Sequence, residues 1–433
     1  MQASHAPSPI GFLLPGDPST PTGGYRYDAR LIAGLRAIGH RVRQVSLSAT
    51  FPSPDDAALA DADAALSSFD DGRLVIVDGL AFGAMPTVAA RHARRLKLVA
   101  LVHHPLALET GLPPTEAERL ADSERAALAC VRAVIVTSTT TAASLRQLRM
   151  DLAPITVAEP GIEDWPVVSR PVSAGPVLSG PAAPGTAPES DHESDHGPAP
   201  EPVHGAAPEP AHGPARGPAR KPVHEPVHGP VHRPAPRPVG HTGTVNLLSV
   251  ATVTPRKGHL LLVEALRRLE AGRGERWHLT CAGALDRDPL HVSAVRRCIA
   301  DAGLGDRITL AGAVSDEALR RLYARADLFV SAAWWEGYGM AAAQAIAVGL
   351  PVVTTTGGAL ASTVPADASL QVPTGDAAAL SAAIGRCITD SALRERLAAA
   401  ARAAGPSLPR WPATVARVAA LLRAVSDDTV PDR

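Results

Sequence analysis

The 433-residue chain contains no apolar run approaching the ~18 consecutive residues of a membrane-spanning helix. It also lacks an N-terminal basic stretch followed by a long apolar segment, and Ile10–Leu14 already reads as a first core strand. A cytoplasmic protein is therefore expected, with any membrane contact peripheral. The formal net charge is only −1 and there is no polybasic run, which argues against nucleic acid as the main partner. Only four cysteines occur (Cys130, Cys281, Cys298, Cys387), far apart and without a C-x-x-C pair. That excludes a disulfide framework and a thiolate zinc site, and it suits a reducing compartment.

Another absence is local. From 171 to 241 there is no isoleucine, phenylalanine, tyrosine or tryptophan, and the segment 166–243 holds 19 of the chain's 41 prolines. The quartets Val223-His224-Glu225-Pro226, Val227-His228-Gly229-Pro230 and Val231-His232-Arg233-Pro234 repeat in register. Such a composition cannot bury enough apolar surface to offset the entropy of ordering. It predicts a disordered or polyproline-like spacer, extended at about 3.1 Å per residue where stiff. Its histidines could take metal opportunistically, but with no cysteine and no fixed geometry a physiological metal role is not expected.

On either side of this segment, short apolar runs alternate with helical stretches. The first half offers strands at Ile10–Leu14, Arg43–Leu47, Leu74–Val77, Lys97–Val102, Ala133–Thr137 and Ile155–Ala158, with a helix over Tyr27–Ile38 closed by Gly39. The second offers strands at Val245–Val250, His278–Ala282, Ile308–Ala311, Leu328–Ser331 and Val352–Thr355. Helices over Leu260–Glu270, Asp316–Ala324 and Ala377–Ile388 lie between them. The alternation predicts an α/β protein with two Rossmann-like, doubly wound domains facing a cleft. The expected organisation is a first domain at 1–165, the spacer at 166–243, a second domain at 244–410 and a last helix within 411–433.

The richest stretch is Trp334-Trp335-Glu336-Gly337-Tyr338-Gly339-Met340-Ala341-Ala342-Ala343-Gln344. A loop delivers a carboxylate, turns on two glycines and enters an alanine-rich helix. Glu336 and Gln344 would lie roughly 10–12 Å apart if the stretch were mostly helical. Glycines at a helix start let backbone N–H groups approach a phosphate. Pro351–Thr356 then reads as a buried strand ending in Gly357-Gly358, where open α/β sheets place their ligands. Gly23 and Gly24 follow the first strand in the same way, without forming G-x-G-x-x-G. Arg256-Lys257 follows the first strand of the second half, a placement suited to a diphosphate. His103-His104 ends the fourth strand. Asp78 ends the third, where capping a turn is the expected role; Asp376 reads as an N-cap.

These motifs, in this order, resemble family-4 glycosyltransferases of the GT-B fold, whose signature carries two glutamates separated by seven residues. Glu336 matches the first glutamate; Gln344 replaces the second, and Thr252 stands where the family often has an arginine. The resemblance implies a retaining transferase moving a sugar, of hexosyl type, from a nucleoside diphosphate sugar to an acceptor hydroxyl. It implies catalytic roles for Lys257, Glu336 and a histidine, His103 by its place directly after the strand, with His104 left open. Donor contacts would come from Gly23, Gly24, Arg256, Lys257, Glu336, Tyr338, Gly339 and Met340, with Gln344 at the ribose. It also implies a C-terminal helix crossing back to the first domain and no metal or other cofactor. The acceptor, whether a sugar, a lipid-linked group or a small molecule, stays open. Two alternatives are a nucleotide-sugar epimerase of the same fold and a weakly active or non-catalytic sugar-nucleotide binder.

Overall fold

The computed structural model describes residues 9–20, 22–148, 153–167, 243–270 and 276–427. Most of the spacer expected over 166–243 lies outside the described residues. Met1–Ser169 and Thr242–Arg433 form one compact unit.

The first half builds six strands: β1 (Ile10–Pro15), β2 (Val42–Leu47), β3 (Leu74–Asp78), β4 (Lys97–Val102), β5 (Ala133–Val136) and β6 (Ile155–Val157). They pair in parallel in the order β2-β1-β3-β4-β5-β6. The second half builds β7 (Thr244–Val250), β8 (Arg276–Ala282), β9 (Ile308–Gly312), β10 (Leu328–Ser331), β11 (Val352–Thr355) and β12 (Ser369–Val372). Their order is β12-β11-β10-β7-β8-β9, again all parallel. The short runs rich in valine, isoleucine and leucine become strands because both sheet faces are covered by helices. Every residue of β3 and of β11 is buried. The expectation of two doubly wound α/β halves is met.

Two helices place the site. The first helix spans Gly23–Ala37, with the Thr22 hydroxyl accepting from the Tyr25 N–H, and buries Tyr27, Leu31, Ile32 and Leu35. It starts four residues earlier than the apolar spacing suggests, because Gly23 and Gly24 form its opening turn. The C-terminal helix, Trp411–Ser426, leaves the second half and packs on the first. Val415, Val418, Ala419, Leu422 and Val425 share one apolar cluster with Phe12, Leu31, Leu35 and Ile76. At about 1.5–3 kcal/mol for each large buried aliphatic, this stripe is a substantial tie between the halves. No described helix is long and apolar enough to cross a membrane.

Candidate active site

In both halves the polar residues of interest sit at the carboxyl ends of the strands, and there the two halves meet. Gly337, in the loop after β10, touches the loop after β4. A Cβ added at 337 would stand 2.1 Å from the His103 carbonyl oxygen, so only glycine permits this approach. Nearby, the Thr141 hydroxyl donates to the Gly337 carbonyl at 3.3 Å. The His104 ring lies 4.1 Å from the Trp335 ring, and Arg26 pairs with Asp316 at 3.1 Å.

On the second half, the Pro255–Lys257 turn ends at Gly258, whose φ is +70°. A Cβ there would collide with the Ala332 carbonyl, so glycine brings the two cations against the loop after β10. The Trp334 N–H donates to the Arg256 carbonyl at 2.8 Å and fixes that register. Glu336 is pinned from the other side by a backbone bridge to Gly358. As a result Lys257 Nζ donates to Glu336 Oε1 at 2.5 Å, and Arg256 lies 3.9 Å from the second carboxylate oxygen. Arg256 also donates to the Trp335 carbonyl at 3.0 Å and reaches Glu109 of the first half at 3.3 Å. Burial works against the Glu336 charge, but Lys257 and Arg256 outweigh it and hold the carboxyl below its ordinary value. Burial lowers the Lys257 ammonium despite Glu336. The outcome is a compact, mostly dehydrated group of two cations and one carboxylate.

On the first half, Gly23 and Gly24 open the first helix beside His103. A Cβ at Gly23 would meet nothing within 4 Å, and one at Gly24 would rest 3.5 Å from the His103 ring. The helix N-terminus is thus open to an approaching group, with its N–H dipoles aimed outward. His103 Nε2 lies 3.0 Å from Asp28 Oδ1 and 3.4 Å from Asp78 Oδ2. Asp78 also caps its turn as expected, accepting from the Leu80 N–H at 2.7 Å. His104 points the other way, toward Trp335 and the cations. Burial and the charges of Arg256 and Lys257 hold its ring well below the ordinary histidine value.

Tyr338 is buried, Gly339 caps the next helix in the left-handed region, and Met340 begins it. That helix, Met340–Ala347, starts later than a mostly helical Glu336–Gln344 would require. Gln344 departs most from expectation. It does not join the Lys257–Glu336 group. Its Oε1 accepts from the Glu163 N–H at 2.8 Å, and its Nε2 donates to the Glu163 carbonyl at 3.2 Å. Both ends of a buried amide are engaged by the Glu163 backbone, in the loop after β6, which explains why an amide occupies the position. A carboxylate could accept from the N–H but would oppose the carbonyl.

Three residues escaped sequence reasoning: Asp28, Glu109 and Glu163. Asp28 carried a readable signal, being a lone acid on the apolar stripe of Tyr27, Leu31, Ile32 and Leu35. Glu163 pairs with Arg30 at 2.5 Å and Arg26 at 3.6 Å, and only the folded chain brings those arginines to it.

Residues 238–404 match the family described as glycosyl transferases group 1. A mannosylfructose-phosphate synthase of Agrobacterium fabrum is 32% identical over 124 residues, covering 28% of this chain and 27% of that protein. A GDP-mannose:cellobiosyl-diphosphopolyprenol alpha-mannosyltransferase of Xanthomonas oryzae is 38% identical over 91 residues, covering 21% of this chain and 23% of that protein. The alignments thus span about a quarter of these curated relatives. Among solved structures, a sucrose-phosphate synthase of Thermosynechococcus elongatus superposes with a TM-score of 0.68 at 19% identity, over 97% of this chain and 100% of that one. The second half of the chain is thus similar to the group 1 glycosyl transferases, and its two halves together form a GT-B fold.

Proposed function

We propose that the protein is a hexosyltransferase that moves a sugar from a nucleoside diphosphate sugar to an acceptor hydroxyl with retention of configuration. The observation that carries this reading is the Lys257–Glu336 pair at 2.5 Å, with Arg256 beside it, where the two halves meet. Charge develops on the departing diphosphate as the bond from its oxygen to the anomeric carbon breaks. Lys257 and Arg256 would stabilise that charge, and the open turn at Gly23 and Gly24 would add N–H donors. Tyr338, Gly339 and Met340 would contribute backbone contacts to the donor. Glu336, held by Lys257, would orient the sugar. The acceptor oxygen bonds to the anomeric carbon on the face the diphosphate leaves, and its proton passes to a leaving phosphate oxygen. This chemistry needs no resident metal or cofactor. A cytoplasmic setting fits four cysteines that form no disulfide among the described residues. The Xanthomonas relative is named for a GDP-mannose donor, which makes a nucleotide sugar a fitting class and leaves the base open.

A thermal-shift screen against UDP-, GDP- and ADP-sugars tests the reading, since a ligand of the folded state raises apparent stability. One donor series should raise the melting temperature, and release of its diphosphate should then depend on acceptor. Lys257→Ala should cut turnover about 10²-fold or more while the protein still melts cooperatively. Unchanged turnover would remove Lys257 from the mechanism, and no response to any nucleotide sugar would overturn the reading.

A further inference from the structure

Asp28, Asp78 and His103 form a group that the proposed transfer does not by itself explain. The oxygens of Asp28 and Asp78 and the imidazole Nε2 lie within 4.8 Å of one another. Asp28 is 1% exposed and Asp78 is 4% exposed. Both carboxylates converge on a single nitrogen, at 3.0 and 3.4 Å. Asp28 comes from the second turn of the first helix, Asp78 from the end of β3 and His103 from the end of β4, so three separate elements build the contact. Asp28 Oδ2 is buried with no hydrogen-bond partner among the described residues. A carboxylate buried on an apolar helix face with one oxygen unpaired costs stability, and a purely packing role would be met by leucine. His103 Nδ1, by contrast, makes no hydrogen bond among the described residues, and the side chain is 21% exposed.

We propose that Asp28 and Asp78 are positioning residues that hold the His103 ring by Nε2 and thereby present Nδ1–H as a fixed donor to an oxygen of the nucleotide sugar. The last clause rests on the proposed function; the clamp does not. Two carboxylates sharing one N–H favour the doubly protonated ring, because the neutral ring could offset neither charge. The surroundings agree. Tyr27 meets the ring edge-on at 5.2 Å, and Thr137 contacts the His103 carbonyl rather than the ring. Gly24 and Gly337 bring no charge. Tyr25, near Asp78, is raised by burial and by that carboxylate, with Arg287 acting in the opposite sense. Beyond His104 lie Arg256 and Lys257, which act on His104. Burial works against the charged His103 ring, but Asp28 and Asp78 outweigh it and push the ring up to about 10. Burial likewise raises the Asp28 carboxyl, against the pull of the imidazolium.

The test is a ¹⁵N titration of the histidine rings in the full chain, with His103 assigned by its loss in His103→Gln. At pH 8 both His103 nitrogens should carry protons. In Asp28→Asn, and separately in Asp78→Asn, the titration midpoint should fall by about one pH unit or more. A neutral His103 at pH 8 in the unmodified protein would overturn the clamp, as would a midpoint unmoved in both variants. So would a shift of its Nε2 signal on adding Zn²⁺ or Mn²⁺, which would mark the group as a cation site. Calorimetry with UDP-glucose and GDP-mannose at pH 6.5 and 8.5 tests the second clause. The donor that binds should lose about tenfold in affinity in Asp28→Asn at the higher pH and recover at the lower one. Binding equal at both pH values in both variants would overturn the donor role. Failure of every nucleotide sugar to bind would overturn the transferase reading and the donor role with it, while the ring titration still decides the clamp.

Discussion

At the scale of single residues, Gln344 is the most informative departure from the two-glutamate pattern that the sequence resembles. Sequence alone suggests a weakened ribose contact that glutamate would restore. The structure changes the expected outcome, because the amide donates to one Glu163 backbone group and accepts from the other. Gln344→Glu should therefore lower stability by about 1–3 kcal/mol at neutral pH, since a buried carboxylate would face the Glu163 carbonyl. The loss should shrink as pH falls and the new carboxyl gains a proton to donate. Chemical denaturation at pH 5 and pH 8 measures it; a variant as stable as the parent at both would mean the amide contact carries no weight. Lys257, Arg256, Glu336 and His103 were legible because each follows a strand and carries a chemistry suited to phosphates or sugars. The pairing of His103 with Asp28 was not legible, because 75 residues separate the partners and only the sheet order unites them.

At the scale of elements, strands were readable almost to the residue. Lys97–Val102, Leu328–Ser331 and Val352–Thr355 coincide with runs that are apolar on both faces, as parallel strands must be. β12 (Ser369–Val372) escaped because four residues with serine and glutamine among them carry no such run. The first helix began earlier than expected since glycines read as loop, yet Thr22 caps a turn that contains both.

One contact between elements has a pH signature. Glu124, in the helix Pro114–Leu128, is fully buried and accepts from the Leu106 N–H at 3.0 Å, anchoring the loop that carries His103 and His104. Burial pushes its carboxyl up to about 8 from a usual value near 4.5. The folded state then binds more protons than the unfolded one between those values, so stability falls as pH rises through that window. Glu124→Gln keeps an acceptor for Leu106 and removes the titration. The fall in stability between pH 5 and pH 9 should flatten, by on the order of a few kcal/mol at most. An undiminished pH slope in the variant would assign that slope to other groups.

At the scale of the whole molecule, the two halves are joined by more than the chain between them. The C-terminal helix returns to the first half, and Ile162 forms a backbone bridge to Arg410 where that return begins. These ties lie wholly within Met1–Ser169 and Thr242–Arg433. Removing residues 172–240 should therefore leave the melting temperature and turnover within experimental scatter of the full chain. Loss of cooperative melting would show that the segment contributes to the fold. Composition had marked this boundary clearly, since a tract poor in large apolar residues cannot join either core.

The meeting of Gly337 with the His103 carbonyl makes one missing side chain into a feeler gauge. How far the halves can close is set there by the thickness of a single backbone. Alanine, serine and valine at that position would act as shims of rising width, each propping the jaws slightly further open without touching a charged group. Substrate recognition could thus be tuned by one residue that need not bind substrate through a side chain at all.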